Sequence, residues 1–193
     1  MDKRLVISLF ACIASVPAFA ALQAGASAPQ FTTQASLAGK PFTFSLKDAL
    51  AKGPVVVYFY PSAYTKGCDL QAHTFAVNKD KFTAAGATII GVSLDSIQRL
   101  NDFSADPEYC AGKFPTASDA DGSIAKSYEL KVQQGPPGLK DVRGSEIGHD
   151  FVERTTFVVA KDGKIASTIT GVAPDKNVDQ ALEAVQHLTA QAK

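Results

Sequence analysis

The sequence contains one segment whose residue types and spacing suit nucleophilic chemistry, and it is formed by Pro61, Thr65 and Cys68. The cysteine supplies a thiol, which in its ionised form is a strong nucleophile toward sulfur and oxygen. Thr65 lies three residues before Cys68, so one helical turn would place both side chains on the same face. Its hydroxyl can donate to and accept from a substrate oxygen. Pro61 has no N–H and could cover the thiol without offering it a proton.

Each of these residues also has a simpler structural interpretation. Thr65 belongs to the residue types that cap helices, and it could be both a cap and a substrate contact. Pro61 could merely end a strand, and Cys68 could be a buried, unreactive thiol. The elements around the cysteine must therefore decide between the two interpretations.

Those elements favour a reactive Cys68. Residues 55–60 are β-branched and aromatic without a polar break, which is typical of a central strand covered on both faces. Residues 66–85 place apolar side chains on roughly one face and are followed by Gly86, as expected for a helix. A strand leading directly into a helix places their connection at the sheet edge where α/β proteins bind ligands. Cys68 would then lie in the first helical turn, where unpaired N–H groups favour a thiolate.

The rest of the sequence predicts a single α/β domain over residues 21–193. Hydrophobic residues make up 46% of the chain and charged residues 20%, which suits a globular core. The other predicted elements are strands at 31–34 and 41–45, a helical turn at 46–52, a buried strand at 87–94, a helix from Ser96 to about Cys110, a strand at 114–117, a helix at 123–130, a loop at 131–149, strands at 151–160 and 164–170, and a helix from Pro174 to about 190. This order is typical of a thioredoxin-like fold with an N-terminal β-hairpin and insertions.

Residues 1–20 have the pattern of a secretory signal peptide. A positive start is followed by an apolar run over residues 5–16 and by the small-x-small sequence AFA that ends at Ala20. The run is shorter than the ~20 residues of a membrane span, and no second candidate follows it. We expect cleavage after Ala20 and a periplasmic or secreted protein. A lipoprotein signal that ends at Cys12 is the alternative.

Charge and cysteine content narrow the possible functions. The chain carries 19 basic and 19 acidic residues, and cleavage would remove two basic residues and one acidic residue, leaving 17 and 18. This balance gives no basis for nucleic-acid binding. Only Cys68 and Cys110 would remain, and in an oxidising compartment they would form a structural disulfide or one that opens and closes during turnover. We expect no bound metal or cofactor, because the sequence has neither metal-ligand histidine spacing nor a phosphate-binding glycine motif.

The segment around Cys68 resembles the active-site signature of the peroxiredoxins, which is a proline, three residues, a threonine, two residues and a cysteine. Its context, Tyr-Phe-Tyr before the proline and Gly67 before the cysteine, is similar to the Q-type branch, which includes bacterioferritin comigratory proteins. The similarity continues at 153–159, where the family carries an arginine, here Arg154, on a strand beside the active cysteine. It covers roughly residues 26–190 and implies a thioredoxin-like fold with peroxiredoxin-type insertions.

The resemblance implies a thiol-dependent peroxidase that reduces hydrogen peroxide and organic hydroperoxides. Cys68 would attack the O–O bond, forming a sulfenic acid and releasing water or alcohol. Thr65 and Arg154, with the Cys68 amide, would hold the peroxide and stabilise charge on the leaving oxygen, while Pro61 would shield the thiol. The reductant would be an exported thioredoxin-like protein or another thiol, and the resemblance favours a monomer.

Restoring the oxidised cysteine requires another thiol. Many Q-type members carry this resolving cysteine five residues after the first, where this chain has His73, while Gln71 fits a position that holds Glu or Gln in relatives. Other relatives place it on the helix after the second buried strand, where we predict Cys110. We hypothesise that Cys110 closes an intramolecular disulfide with Cys68, with local unwinding if the Cα atoms are more than ~7 Å apart. The alternative is a spectator thiol and an external resolving partner.

The sequence leaves three further alternatives open. A thiol–disulfide oxidoreductase of the same fold would carry C-x-x-C at the helix start, but Thr65 replaces the first cysteine. A redox sensor would share the first chemical step and pass its oxidation to a partner. Arg154 could form a surface ion pair with Glu153 or Asp150, and His149 could line the pocket without reacting.

Overall fold

The computed structural model describes residues 21–191, so the predicted signal peptide, its cleavage site and Cys12 lie outside the described residues. The helices and strands are, in chain order, β1 (Thr32–Leu37), β2 (Lys40–Ser45), α1 (Leu46–Leu50), β3 (Val55–Phe59), α2 (Lys66–Ala84), β4 (Thr88–Ser93), α3 (Ile97–Ala105), β5 (Thr116–Ser118), α4 (Ser123–Ser127), β6 (Val132–Gln133), β7 (Phe151–Val152), β8 (Thr155–Val159), β9 (Ile165–Thr170) and α5 (Pro174–Gln191).

A mixed seven-stranded sheet has the order β2-β1-β5-β4-β3-β8-β9, and β6 pairs with β7 apart from it. Strand β3 lies inside the sheet, parallel to β4 and antiparallel to β8. All five of its residues are buried, because the run is β-branched and aromatic and both faces of the sheet are covered. The prediction of a central strand is confirmed, as is the N-terminal hairpin of β1 and β2.

The two faces of the sheet belong to separate hydrophobic clusters. Val55, Val57 and Phe59 join the cluster that includes buried residues of α1 and α4. The alternate residues Val56 and Tyr58 join a cluster with α2, α3 and α5, since successive side chains of a strand point to opposite faces. Both cysteines of the described chain belong to this second cluster. The α2, α3 and α5 side of the sheet therefore carries the candidate site.

Helix α3 is shorter than predicted. Ser96 caps its start as expected, but the helix ends at Ala105 and does not reach Cys110. The reason is Pro107, because a proline disfavours the helical conformation of the preceding residue. Asp106 accordingly adopts an extended conformation with φ −61° and ψ 121°. The prediction that Cys110 lies near the end of a helix was wrong, and Cys110 lies in the turn beyond it.

The strand predicted over residues 151–160 is in fact two strands. β7 pairs with β6, whereas β8 pairs with β3 and β9 in the large sheet, so the chain changes sheets between them. Glu153 and Arg154 occupy this change, and the prediction that Arg154 lies on a strand was wrong. The predicted loop over 131–149 likewise contains β6.

The other boundaries agree with the prediction to within a few residues. β1 extends to Leu37, β5 begins at Thr116, and α4 ends at Ser127. The predicted β8–β9 hairpin is present, with Gly163 in its turn at φ +83°, a conformation that glycine adopts without steric cost. Within residues 21–191, no helix is both long and apolar enough to span a bilayer.

Candidate active site

Cys68 lies in the first turn of α2, beyond the carboxyl end of β3, as predicted. It is buried, with 2% of its surface exposed. Its backbone N–H donates to the carbonyl oxygen of Thr65 at 2.8 Å. The Cys68 amide is therefore already paired in this conformation, contrary to the expectation that it would help to hold a substrate. Pro61 follows β3 and is half-buried.

Thr65 occupies the N-cap position of α2 but does not cap it. Its hydroxyl donates to the carbonyl oxygen of Ser62 at 2.9 Å, so the interpretation as a side-chain cap was wrong. The hydroxyl oxygen keeps lone pairs that can accept from another molecule. A cleft of about 370 Å³ opens beside Thr65, and its wall includes the exposed apolar residues Leu139 and Val142.

Arg154 reaches the thiol from the break between β7 and β8. Its Nη2 donates to Cys68 Sγ at 3.3 Å, and its Nη1 donates to Gln71 Oε1. The alternative of a surface ion pair with Asp150 or Glu153 was wrong, because the guanidinium contacts Cys68 and Gln71 and neither carboxylate pairs with it. Since a guanidinium stays protonated at any working pH, a permanent positive charge lies beside the sulfur.

A buried polar chain holds the arginine in this position. Gln71 Nε2 donates to Asn177 Oδ1 at 2.9 Å, and Thr156 Oγ1 donates to the same oxygen at 2.5 Å. Asn177 Nδ2 in turn donates to the carbonyl oxygen of Ile169 at 3.2 Å. Asn177 is a functional residue that was not predicted from the sequence, although a polar residue on the apolar face of the last helix was a usable signal.

Gly67 leaves room for the guanidinium. A β-carbon at this position would lie 3.2 Å from Arg154 Nη2 and 3.6 Å from Pro174 Cγ. A side chain at this position would therefore be crowded between the guanidinium of Arg154 and Pro174, the first residue of α5. The glycine before the cysteine is explained by this close approach rather than by backbone conformation.

Ser62, His149 and Asp95 are the residue types of a serine-hydrolase triad, but their geometry is different. Ser62 Oγ and Asp95 Oδ1 both contact His149 Nε2, at 3.3 Å and 2.8 Å. The Nδ1 atom contacts the carbonyl oxygen of Asp150 at 2.8 Å. A triad needs the serine and the carboxylate on opposite ring nitrogens, so this cluster does not activate Ser62 as a nucleophile.

Cys110 is fully buried on the same face of the sheet, and both thiols are free. Burial raises its pKa well above the usual value, and the nearby carboxylates of Asp106 and Asp69 add to this. The turn that carries it is held to α2 by His73, which is exposed and whose Nδ1 lies 2.9 Å from the carbonyl oxygen of Glu108. Cys110 is therefore a poor nucleophile until the turn opens. In residues 21–191, no cluster of His, Cys, Asp and Glu could hold a metal ion.

Asp69, the residue after Cys68, is a buried carboxyl group that the sequence analysis did not single out. It is 7% exposed, and its Oδ1 has no hydrogen-bond partner in the described chain. Burial raises its pKa from 3.8 to about 7, although the N–H of Tyr64 offsets part of the effect. The carboxyl therefore takes up a proton on folding at any pH between these values.

We expect Asp69→Asn to stabilise the protein by an amount that grows as the pH rises from 4.5 to 8. The folded carboxyl holds its proton up to about pH 7 while the unfolded one loses it near 3.8, so wild-type stability is lost as the pH rises through this interval. Urea unfolding at both pH values measures the difference. Asp80→Asn, at an exposed site on the same helix, is the control. An equal effect of Asp69→Asn at both pH values would contradict the expectation.

Comparison with known sequences gives consistent matches. A model of the AhpC/TSA family matches residues 24–168. Chloroplastic peroxiredoxin Q of Sedum lineare is 32% identical over 172 residues, which cover 88% of this chain and 81% of that protein. A Mycobacterium tuberculosis protein named as a peroxiredoxin is 39% identical over 111 residues, 58% of this chain and 64% of that protein. This chain thus matches less than two thirds of the length of that relative.

Solved structures resemble this chain over most of its length. The BcpB peroxidoxin of Mycobacterium tuberculosis has a TM-score of 0.67 at 28% identity, covering 86% of this chain and 98% of that chain. Peroxiredoxin Q of Xanthomonas campestris has a TM-score of 0.61 at 28% identity, covering 81% and 90%. These matches confirm the predicted thioredoxin-like fold.

Proposed function

This chain belongs to the AhpC/TSA family and is a peroxiredoxin, and we propose that it reduces hydrogen peroxide and organic hydroperoxides through a sulfenic acid on Cys68. The observation that carries the proposal is the 3.3 Å contact between Arg154 Nη2 and Cys68 Sγ. It joins a thiol at a helix start to a permanent cation. A structural cysteine packs as a small apolar residue and needs no cation beside it, whereas reactive cysteines lie in electropositive surroundings.

In the first step, the Cys68 thiolate attacks one peroxide oxygen. An S–O bond forms, the O–O bond breaks, and the leaving oxygen takes a proton to become water or an alcohol. Arg154 stabilises the charge that develops on that oxygen, and Gln71 fixes the guanidinium from its other side. Thr65, whose hydroxyl proton is committed to Ser62, accepts a hydrogen bond from the peroxide. Pro61 shields the thiol.

The cleft beside Thr65 supports the inclusion of organic hydroperoxides among the substrates. Leu139 is 37% exposed and Val142 is 51% exposed on its wall. An alkyl chain on the peroxide would cover these side chains and gain hydrophobic contact. Hydrogen peroxide would use the contacts at Thr65 and Arg154 alone.

Cys110 is our proposal for the resolving thiol. Its thiolate attacks the sulfenic sulfur, the S–S bond forms as the S–O bond breaks, and the displaced hydroxide takes a proton from solvent and leaves as water. Support comes from its place beside α2, in the same cluster as Cys68 and in a turn rather than in a helix. Both residues are buried, so the first turn of α2 and the turn around Cys110 must open together.

One equivalent of hydrogen peroxide is expected to convert the reduced protein to a form with a Cys68–Cys110 linkage. Peptide mapping by mass spectrometry after alkylation detects the linked peptide. Cys110→Ser is the matched control, and it is expected to stop at a sulfenic acid that dimedone traps on Cys68. A wild-type protein that gives only the trapped sulfenic acid would show that resolution is external.

Location, reductant and oligomeric state complete the proposal. The pattern of residues 1–20 supports export to the periplasm or beyond, with cleavage near Ala20. An exported enzyme would take its electrons from an exported thioredoxin-like protein or another thiol, and we propose that it is a monomer. Intact-mass spectrometry of the mature protein tests the cleavage site, and the molecular mass in solution tests the monomer.

Steady-state peroxide consumption with dithiothreitol tests the peroxidase proposal as a whole. Because dithiothreitol would also re-reduce a redox sensor, a second assay supplies an exported thioredoxin-like protein as the only reductant: a peroxidase turns over many times with it, whereas a sensor that passes its oxidation to a different partner consumes one equivalent and stops. Insulin reduction without peroxide consumption would instead support a thiol–disulfide oxidoreductase.

A further inference from the structure

The backbone just before the active helix is held by side-chain and backbone groups from other parts of the chain. Asp95 Oδ2 accepts the N–H of Ala63 at 2.8 Å, and Arg99 Nη2 donates to the carbonyl oxygen of Ala63 at 2.8 Å. The N–H of Val142 donates to the carbonyl oxygen of Tyr64 at 2.9 Å. Tyr64 has φ +59°, a left-handed conformation that such a residue keeps only when its surroundings impose it.

Asp95 is the centre of this arrangement. Its carboxylate is fully buried and also accepts the hydroxyls of Ser62 at 3.0 Å and Ser93 at 2.8 Å. His149 Nε2 lies 2.8 Å from Oδ1. Arg99 Nε lies 2.9 Å from the same oxygen, as an ion pair without hydrogen-bond alignment. A buried carboxylate needs such partners on all its lone pairs, and here one of them, the N–H of Ala63, belongs to the backbone segment that precedes Cys68.

The network also fastens the loop that forms the cleft. Arg99 Nη2 lies 2.8 Å from Asp141 Oδ2, and Arg143 Nη2 lies 3.3 Å from that same oxygen. The guanidinium of Arg143 sits 3.3 Å from the ring centroid of Tyr64. One group of charges thus holds both the segment before the cysteine and the wall of the cleft.

We propose that Asp95 is a positioning residue for peroxide reduction, which sets Thr65 and Cys68 through Ser62–Tyr64, and that protonation of His149 strengthens this hold. This inference rests on the proposed function. Neither residue touches the reacting atoms. They act through the backbone that carries Thr65, whose hydroxyl bonds to the carbonyl oxygen of Ser62. Small displacements of that backbone move the substrate contact relative to the sulfur.

The charges around His149 set the direction of the pH dependence. Burial lowers its pKa, but the hydrogen bond and the charge of Asp95 outweigh this and leave the pKa above 6.5, while Arg99 opposes the rise. The adjoining clefts bring Glu146 on one side and Asp121, Lys126 and Asp150 on the other. Below its pKa, His149 is a cation paired with Asp95. Above that pKa, the imidazole is neutral and its hydrogen bond to Asp95 is weaker, so Asp95 holds the backbone before Cys68 less firmly.

The test is the rate constant of Cys68 oxidation by hydrogen peroxide from pH 5 to 9. Competition with a haem peroxidase suits this chain, which has no tryptophan for direct fluorescence. We compare wild type with His149→Gln, and use His187→Gln, on the exposed face of α5, as the matched control. The ratio of wild type to variant cancels the ionisation of the cysteine, which both share.

The ratio of the wild-type rate constant to that of His149→Gln is expected to fall by about 5- to 10-fold as the pH rises. A 1 Å misplacement of reacting groups can lower a rate roughly 100-fold, and we expect the change at His149 to cause a smaller displacement. The ratio for His187→Gln stays constant. A constant ratio for His149→Gln overturns the proposal, even if its melting temperature drops, because that would show a purely structural role. If the wild type consumes no peroxide, the proposed function fails instead.

A second variant tests Asp95 itself. Asp95→Asn is expected to slow oxidation at every pH and to abolish the pH-dependent effect of His149→Gln in the double variant. An unchanged His149→Gln effect in that background overturns the assignment of Asp95. If Asp95→Asn does not fold, His149→Gln in the wild-type background decides the proposal alone.

Discussion

Replacing Cys68 with serine is expected to abolish peroxide consumption in the dithiothreitol-coupled assay. A serine hydroxyl is not ionised at neutral pH and forms no sulfenic acid, so the attack on the O–O bond is lost. The contacts of Arg154 and Thr65 do not replace the nucleophile. We expect a fall of at least roughly 10⁴-fold, to the level of the uncatalysed reaction, since enzymes typically accelerate by ~10⁶ or more.

The control for this result is Cys110→Ser, which removes the other thiol of the described chain. It keeps the first reaction with peroxide, and with dithiothreitol as an external reductant it also keeps turnover. Equal consumption by wild type and Cys68→Ser would refute the assignment of the nucleophile. A loss in Cys110→Ser alone would move that assignment to Cys110.

The second large effect is expected for Arg154→Lys. Lysine keeps the charge but is a single flexible donor, so it cannot contact Cys68 Sγ and Gln71 together as the guanidinium does. We expect the rate constant with hydrogen peroxide to fall by about 10²–10³, which is the usual cost of losing one oriented donor at a developing charge. Single-turnover oxidation followed by mass spectrometry measures it.

Lys161→Arg is the control for this substitution. It exchanges the same two side-chain types at an exposed position in the β8–β9 turn, at the opposite end of β8 from Arg154. Because surface substitutions away from special features have small effects, we expect a change within about threefold. An Arg154→Lys protein that folds and reacts within threefold of wild type would remove the arginine from the mechanism.

The sequence predicted the central part of this architecture because that part depends on local patterns. The unbroken apolar run over residues 55–60 predicts a buried strand, and the periodicity that follows predicts the helix with Cys68 in its first turn. The end of α3 was also available from local rules. Asp106 precedes a proline, and the preference of such residues for extended conformations places Cys110 beyond the helix.

The contacts that complete the site are not local, and no spacing in the sequence encodes them. Arg154 meets Cys68 because β7 belongs to one sheet and β8 to another, which is a property of strand pairing. Asp95 meets His149 across 54 positions, through a loop whose sequence indicates only turns. The sequence shows that these residues are present, but which of them meet depends on how distant elements pack in the folded chain.

The bond between Gln71 and Asn177 has a consequence for biosynthesis. These residues are separated by 106 positions, and Asn177 lies on α5, the last helix of the described chain. A chain made from its N-terminus therefore contains Cys68 long before it contains the anchor for the arginine that contacts the thiol. Until α5 docks, the nascent protein carries an ordinary cysteine. The reactive site therefore forms only when almost the whole described domain has been synthesised.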